Sequence, residues 1–160
     1  MVDQKIGRYR IVRLIGKGGM GAVYEATDEE IQRRAAIKIL HSQYTANAEM
    51  ASRFLNEARA VNIIQHPSLV SAFEFGKLPD GSAYMVMEYL DGETLRERIK
   101  KQGPLGQDAI RIARQITSAL VAAHNKRIVH RGRKPNGSPA SDGSYHPGSE
   151  WVRNAVNTLA

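Results

Sequence analysis

Apolar and polar positions recur along the first 131 residues at strand and helix periods, and the pattern changes afterwards. Tyr9-Arg-Ile-Val-Arg-Leu-Ile15 is β-rich and runs into a glycine cluster. Ala22 to Thr27 and Ala35 to Leu40 read as two further short strands. Asn47 is placed to cap a helix reaching about Gln65, because Phe54, Ala58 and Val61 fall on one helical face, and Pro67 prevents its continuation. Leu69–Phe75 and Ala83–Tyr89 read as strands joined by a turn at Pro79-Asp80-Gly81. A short helix from about Thr94 to Lys101 stops at Gly103-Pro104, and a longer one runs from about Gln107 to Asn125. Ile110, Ile112, Ala113, Ile116, Ala119, Leu120 and Val121 go nearly all the way round that last helix, as suits one packed in the middle of something.

From Gly132 onward the apolar periodicity stops. The last 29 residues hold four Gly, four Ser, three Pro and three Asn, and their few apolar residues (Trp151, Val152, Val156, Leu159) cluster near the end. No core can be built from this, so 132–160 is read as a largely disordered tail with a short terminal helix at most. There are no internal repeats.

Composition narrows the function classes. A chain of 160 residues suits one domain and can bury a core. Without cysteine, it has no disulfides, thiolate zinc sites or cysteine nucleophile. No apolar run approaches a membrane span, and the start MVDQKIGRYR has no signal-peptide stretch; a non-secreted, cytoplasmic chain is expected. The net charge of +7 raises the question of nucleic acid, with steep salt dependence as its signature. The bases are scattered with acids between them, and aromatics do not interleave with them, so a solvated basic surface is preferred and no nucleic-acid partner is expected.

Two segments carry candidate chemistry. Gly16-Lys-Gly18-Gly-Met-Gly21-Ala-Val23 fits G-x-G-x-x-G-x-V. A dinucleotide-binding loop of this spacing must open a helix, whereas Ala22-Val-Tyr-Glu-Ala26 favours a strand. A Walker A loop needs Lys-Ser/Thr after its last glycine, and Gly21 is followed by Ala22. A strand–glycine-loop–strand hairpin can cover phosphates with its backbone N–H groups; a flexible hairpin turn is the plainer reading, and the loop alone does not separate the two. In Ala35-Ala36-Ile37-Lys38-Ile39, a lysine within an apolar strand must place its ammonium. It either snorkels to the surface or pairs with an acid, and Glu57 on the following helix is the natural partner. Coming after that loop, the ion pair is the favoured reading.

Taken in order, these segments resemble the amino-terminal lobe of protein kinases, particularly the bacterial serine/threonine kinases of eukaryotic type. The resemblance covers about residues 6–131. It rests on the glycine loop, Ala36-Ile-Lys38, Glu57, His66-Pro-Ser-Leu-Val70, Tyr84-Met-Val-Met-Glu-Tyr89, Asp91-Gly-Glu-Thr-Leu95 and Ile128-Val-His-Arg131. It implies an α+β, kinase-like fold: an antiparallel β N-lobe with one helix over 6–90, then the hinge exit and first helices of an incomplete C-lobe over 91–131. It implies ATP as ligand, with Mg²⁺ in the intact family. Ile15, Val23 and Ala36 would roof the adenine, Met87 would be the gatekeeper, and the backbone of Glu88 and Leu90 would bond the adenine edge. Gly16, Lys17, Gly18, Gly19, Met20 and Gly21 would cover the phosphates. Lys38 would hold the α- and β-phosphates, fixed by Glu57. Tyr84 and Tyr89 are read as core or surface aromatics.

The resemblance breaks where the family reads His-Arg-Asp-Leu-Lys-Pro-x-Asn. Here His130-Arg131-Gly132-Arg133-Lys134-Pro135-Asn136-Gly137 has Gly132 in place of the catalytic Asp and Gly137 in place of the metal-binding Asn. Lys134 matches the lysine typical of serine/threonine kinases. Asp-Phe-Gly does not occur, so no metal ligand is assigned. The expected reading is a truncated or frame-disrupted serine/threonine kinase, catalytically impaired or inactive, whose intact form acts on a protein substrate. The alternative is a non-catalytic, pseudokinase-like module that binds nucleotide or docks on an intact kinase.

Overall fold

A computed structural model describes residues 1–19, 21–44 and 47–128, without the side chains of 48, 49, 53, 57, 58 and 61. Two compact units emerge among the described residues: Met1–Arg59 with Ser71–Tyr89, and Ala60–Val70 with residues 90–128.

The first unit is built on one antiparallel sheet. Its strands are β1 (Lys5–Ile6), β2 (Tyr9–Lys17), β3 (Gly21–Asp28), β4 (Arg33–Leu40), β5 (Ala72–Lys77) and β6 (Ala83–Glu88), in the order β1-β2-β3-β4-β6-β5. The alternation in β4 shows how the sheet is used. Ala35, Ile37 and Ile39 turn to one face and join Ile6, Tyr9, Ile11, Ala26, Tyr84 and Val86 in the main core. Ala36, Lys38 and Leu40 turn to the other face and are also buried. A strand covered on both faces reads as a nearly unbroken apolar run, as β4 does. Burial raises the pKa of the Tyr84 phenol, which donates to Glu74 at 3.1 Å.

Helix α1 (Ala48–Ile64) starts where the sequence places it: Asn47 Oδ1 accepts the Met50 N–H at 3.1 Å, an N-cap. Phe54, on its predicted inner face, is fully buried. The β5–β6 turn falls at Pro79-Asp80-Gly81. There the Asp80 carboxylate accepts the Ser82 N–H at 2.8 Å, and Gly81 takes a positive φ of 84°.

Two expectations change. β5 begins at Ala72 rather than Leu69, because Leu69 and Val70 are not ladder residues. Leu69 instead donates its N–H back to the His66 carbonyl in a turn and buries its side chain in the second unit, with Ile64, Ala119 and Ala123. The pairing of Lys5–Ile6 with Tyr9 and Arg10 has no counterpart in the sequence pattern, being only two residues long.

In the second unit, α2 (Leu95–Gln102) opens on a capping box: the Thr94 hydroxyl accepts the Glu97 N–H at 3.2 Å, and the Glu97 carboxylate accepts the Thr94 N–H at 2.8 Å. Helix α3 (Asp108–Asn125) buries Ile112, Ala119 and Ala123. Its opposite side leaves Ile110 and Val121 exposed, so among the described residues the helix is covered on one side only rather than all round as its apolar pattern suits. His66 Nδ1 accepts the Ser68 N–H at 3.1 Å, so the ring proton sits on Nε2, which lies 3.0 Å from the Ser118 hydroxyl. No helix among the described residues is long and apolar enough to cross a membrane.

The scattered bases find the acids that lie between them in sequence. Arg8 pairs with Asp28 and Glu30, Lys5 and Arg10 with Glu29, Arg98 and Arg111 with Asp108, and Lys101 with Glu93.

Candidate functional site on one face of the sheet

Strand register assembles most of the candidate residues. Directly opposed residues of an antiparallel pair project to the same face. One cross-strand row reads Gly16, Val23, Lys38 and Met85; the next reads Arg13, Glu25, Ala36 and Met87. Val23, Ala36, Lys38 and Met87, drawn from three strands, therefore share one face two rows deep. Ile15 sits in the irregularity of β2 between Leu14 and Gly16, and is exposed.

Between β2 and β3 the chain turns tightly. The Gly18 N–H donates to the Gly21 carbonyl at 2.8 Å, and Lys17 pairs with Ala22. The strand expected after the glycines is present from Gly21, so the loop joins two strands rather than opening a helix. None of Gly16, Gly18 and Gly21 has a positive φ. What Gly21 supplies is space: a Cβ there would lie 2.2 Å from the Ile39 carbonyl oxygen. The glycine lets β3 lie flush against β4 at the mouth of the hairpin.

Lys38 is only 3% exposed, which removes the snorkelling alternative. Its Nζ lies 5.9 Å from the centroid of the Phe54 ring, a cation–π contact at the far end of the useful range. Glu57 stands on α1, with its side chain outside the described residues, as are Met20, Gly132 and Lys134. The Glu88 N–H donates to the Ser71 carbonyl at 2.9 Å, so any bond from Glu88 to a base must use its carbonyl. Leu90 opens the second unit.

Three features of the face were not foreseen. Met85 lies beside Lys38 in the row. Glu25, 7% exposed, takes Arg13 at 2.7 Å and Arg34 at 2.8 Å, and the Arg34 guanidinium stacks 3.8 Å over the Tyr89 ring. At the loop tip, His41 Nε2 lies 3.1 Å from the Gly18 carbonyl oxygen. Burial of Glu25 could have been suspected from its position in a strand; the other two depend on pairings remote in sequence.

The protein kinase domain model matches residues 9–137. The chain belongs to the protein kinase domain family. Among its relatives, the serine/threonine-protein kinase PrkC of Bacillus subtilis is 45% identical over 131 residues, covering 81% of this chain and 20% of the relative. Pkn1 of Myxococcus xanthus is 42% identical over 137 residues, covering 85% of this chain and 19% of the relative. PknA of Mycobacterium tuberculosis is 40% identical over 134 residues, 81% and 31% of the two chains. The chain thus spans about a fifth to a third of these kinases. Solved structures show the same fold. The Mycobacterium tuberculosis PknI kinase domain superposes with a TM-score of 0.65 at 24% identity, covering 84% of this chain and 56% of that one. The structure titled PpkA-294 apo form gives 0.71 at 24% identity, with 84% and 54% covered.

Proposed function

We propose that this chain is the nucleotide-binding part of a serine/threonine protein kinase and does not itself transfer phosphate. The observation that carries the binding half is Lys38: a buried ammonium in one row with Val23 and Gly16, one row from Ala36 and Met87. A buried cation beside apolar side chains and a loop of backbone N–H groups suits a flat base with an anionic tail. In this reading Ile15, Val23 and Ala36 cover the adenine, Met87 closes the back of the slot, and the Glu88 carbonyl and Leu90 backbone bond the base edge. Residues 16–21 cover the phosphates. Lys38, held by Glu57, neutralises the α- and β-phosphates. The 6–90 segment is the N-lobe and 91–131 the start of the C-lobe.

The silent half rests on the sequence. Gly132 offers no carboxylate to orient a substrate hydroxyl, and Gly137 no side-chain oxygen for Mg²⁺. Among the described residues no group of three or more His, Asp or Glu side chains could hold a metal ion. With glycine at both 132 and 137, the side chains there do not fit Mg²⁺. Removing one group of this kind costs two or more orders of magnitude in rate, and the remainder does not rescue a joint loss.

Thermal melting of the 160-residue chain with ATP, ADP and adenosine tests the binding half. At a ligand concentration of about 100 Kd the stabilisation is about 2.7 kcal/mol, an easily read upward shift. Lys38→Met should remove the extra shift that ATP gives over adenosine. An unshifted wild-type chain at millimolar ATP refutes the site. Measurable phosphate transfer to a protein acceptor refutes the silent half. The regulatory alternative, docking on an intact kinase, predicts a defined heterodimer in the same preparations.

A further inference from the structure

The contact between His41 and the glycine loop has a role that depends on the nucleotide reading above. Gly18 and Gly19 are consecutive, so the peptide unit between them is flanked by the two least restrained residues in the loop. Such a unit can rotate about its ends at little cost. The Gly18 carbonyl and the Gly19 N–H belong to that one planar trans unit, so the direction of the first dictates the opposite direction of the second.

Both polar groups of Gly18 are engaged. Its N–H crosses the turn to the Gly21 carbonyl at 2.8 Å and therefore faces into the hairpin. Its carbonyl oxygen lies 3.1 Å from His41 Nε2. A carbonyl can only accept, so Nε2 carries the proton and donates. His41 is itself held by the strand it ends: it follows Leu40, the last residue of β4, and its carbonyl accepts the Tyr44 N–H at 2.9 Å in the short 3₁₀ turn Ser42–Tyr44. The imidazole borders an open cavity of about 310 Å³ together with Lys17, Ala22, Tyr24, Ile39 and Asp80. That side of His41 is open, and the hydrogen bond to Gly18 is the side-chain contact that meets the loop.

We infer that His41 is a positioning residue for phosphate binding. By donating to the Gly18 carbonyl, it fixes the Gly18–Gly19 peptide plane and aims the Gly19 N–H as a preset donor for an anionic oxygen. Because the Gly18 N–H is spent inside the turn, the loop's donor capacity falls on the following amides, and the first of these is the one His41 orients. A preset donor saves the ligand the cost of ordering the loop.

The test compares the 160-residue wild type with His41→Phe, which keeps an aromatic ring but has no donor, and His41→Gln, whose Nε2 stands about where the imidazole Nε2 does. Amide hydrogen exchange over residues 16–21 is read in the free chain, and ATP and adenosine affinities are read separately. One neutral hydrogen bond corresponds to roughly a three- to tenfold effect. His41→Phe should speed exchange of the loop amides and weaken ATP by that factor while leaving adenosine unchanged, and His41→Gln should restore both. Equal exchange in wild type and His41→Phe overturns the inference. So does a His41→Gln chain that behaves as His41→Phe, or parallel weakening of ATP and adenosine. If the wild type binds neither ligand, the nucleotide reading fails and His41 has no phosphate to serve; the exchange data then show separately whether the ring holds the loop.

Discussion

Adding one methyl group at Gly21 should destabilise the first unit far more than adding it at Gly16, five residues earlier in the same motif. A Cβ on Gly21 would lie 2.2 Å from the Ile39 carbonyl oxygen, 3.0 Å from its carbon and 3.3 Å from Leu40 Cα, all backbone atoms. Restoring ordinary contact requires β3 and β4 to part locally by on the order of 1 Å, which no rotamer change can supply. Overpacking of this kind costs about 1–3 kcal/mol. The displaced Gly21 carbonyl would also strain the bond it accepts from the Gly18 N–H, worth about 1 kcal/mol. For a unit of this size each kcal/mol lowers Tm by about 4–8 °C, so Gly21→Ala should melt roughly 10–30 °C below wild type. At Gly16 the added Cβ meets nothing within 4 Å and φ is not positive, so Gly16→Ala should stay within about 0.5 kcal/mol of wild type. Circular dichroism melts of the two variants decide it. Gly21→Ala within about 2 °C of wild type, or both variants equally low, would refute the flush packing of β3 on β4.

Other outcomes follow from the helix ends and the carboxylates. Thr94→Ala removes the capping box of α2 and should cost about 1 kcal/mol, seen as faster amide exchange at residues 95–98; unchanged protection there would count against the cap. Asn47→Ala should destabilise the start of α1 by about 0.5–2 kcal/mol, and an unchanged melt would show that the cap contributes nothing. Glu29, beside Lys5 and Arg10, and Glu97, bonded to the Thr94 N–H and hydroxyl, are held below the usual carboxylate range. A carboxylate depressed on folding stabilises above its unfolded pKa and loses that contribution as pH falls through its folded value. Tm should therefore drop on acidification through that window, and less steeply in a chain carrying Glu29→Gln and Glu97→Gln; identical slopes would contradict the assignment.

Strand positions were legible because alternation survives in single sequence, whereas the coverage of β4 on both faces emerges only from the burial of Ala36, Lys38 and Leu40 opposite the main core. The candidate face followed from this: once Ala36 and Lys38 are two apart on one strand, they must share a side, and the register brings Val23 and Met87 to them. The errors arose where one apolar run had two possible uses. Leu69 and Val70 look like the start of β5, yet Leu69 packs with Ile64, Ala119 and Ala123, residues that local pattern cannot connect to it. Contacts across long sequence separations were invisible for the same reason. Nothing near His41 marks it as a neighbour of Gly18, 23 residues away, and nothing near Arg13 points to Tyr89, whose hydroxyl it meets at 3.2 Å.

Cation–aromatic stacking of Arg34 on Tyr89 closes a short circuit of side chains: Arg34 to Glu25, Glu25 to Arg13, and Arg13 back to the Tyr89 hydroxyl. Tyr89 is the last residue of the first unit before Leu90 begins the second. The circuit therefore acts as a strain relief on the emerging chain, much as a clamp protects a cable where it leaves its housing. A pull or thermal fluctuation transmitted from residue 90 onward meets an aromatic ring gripped from two sides before it reaches the ladder between β4 and β6. Fraying that begins at this exit meets two arginine contacts on Tyr89 before it reaches the Met87 end of the candidate face.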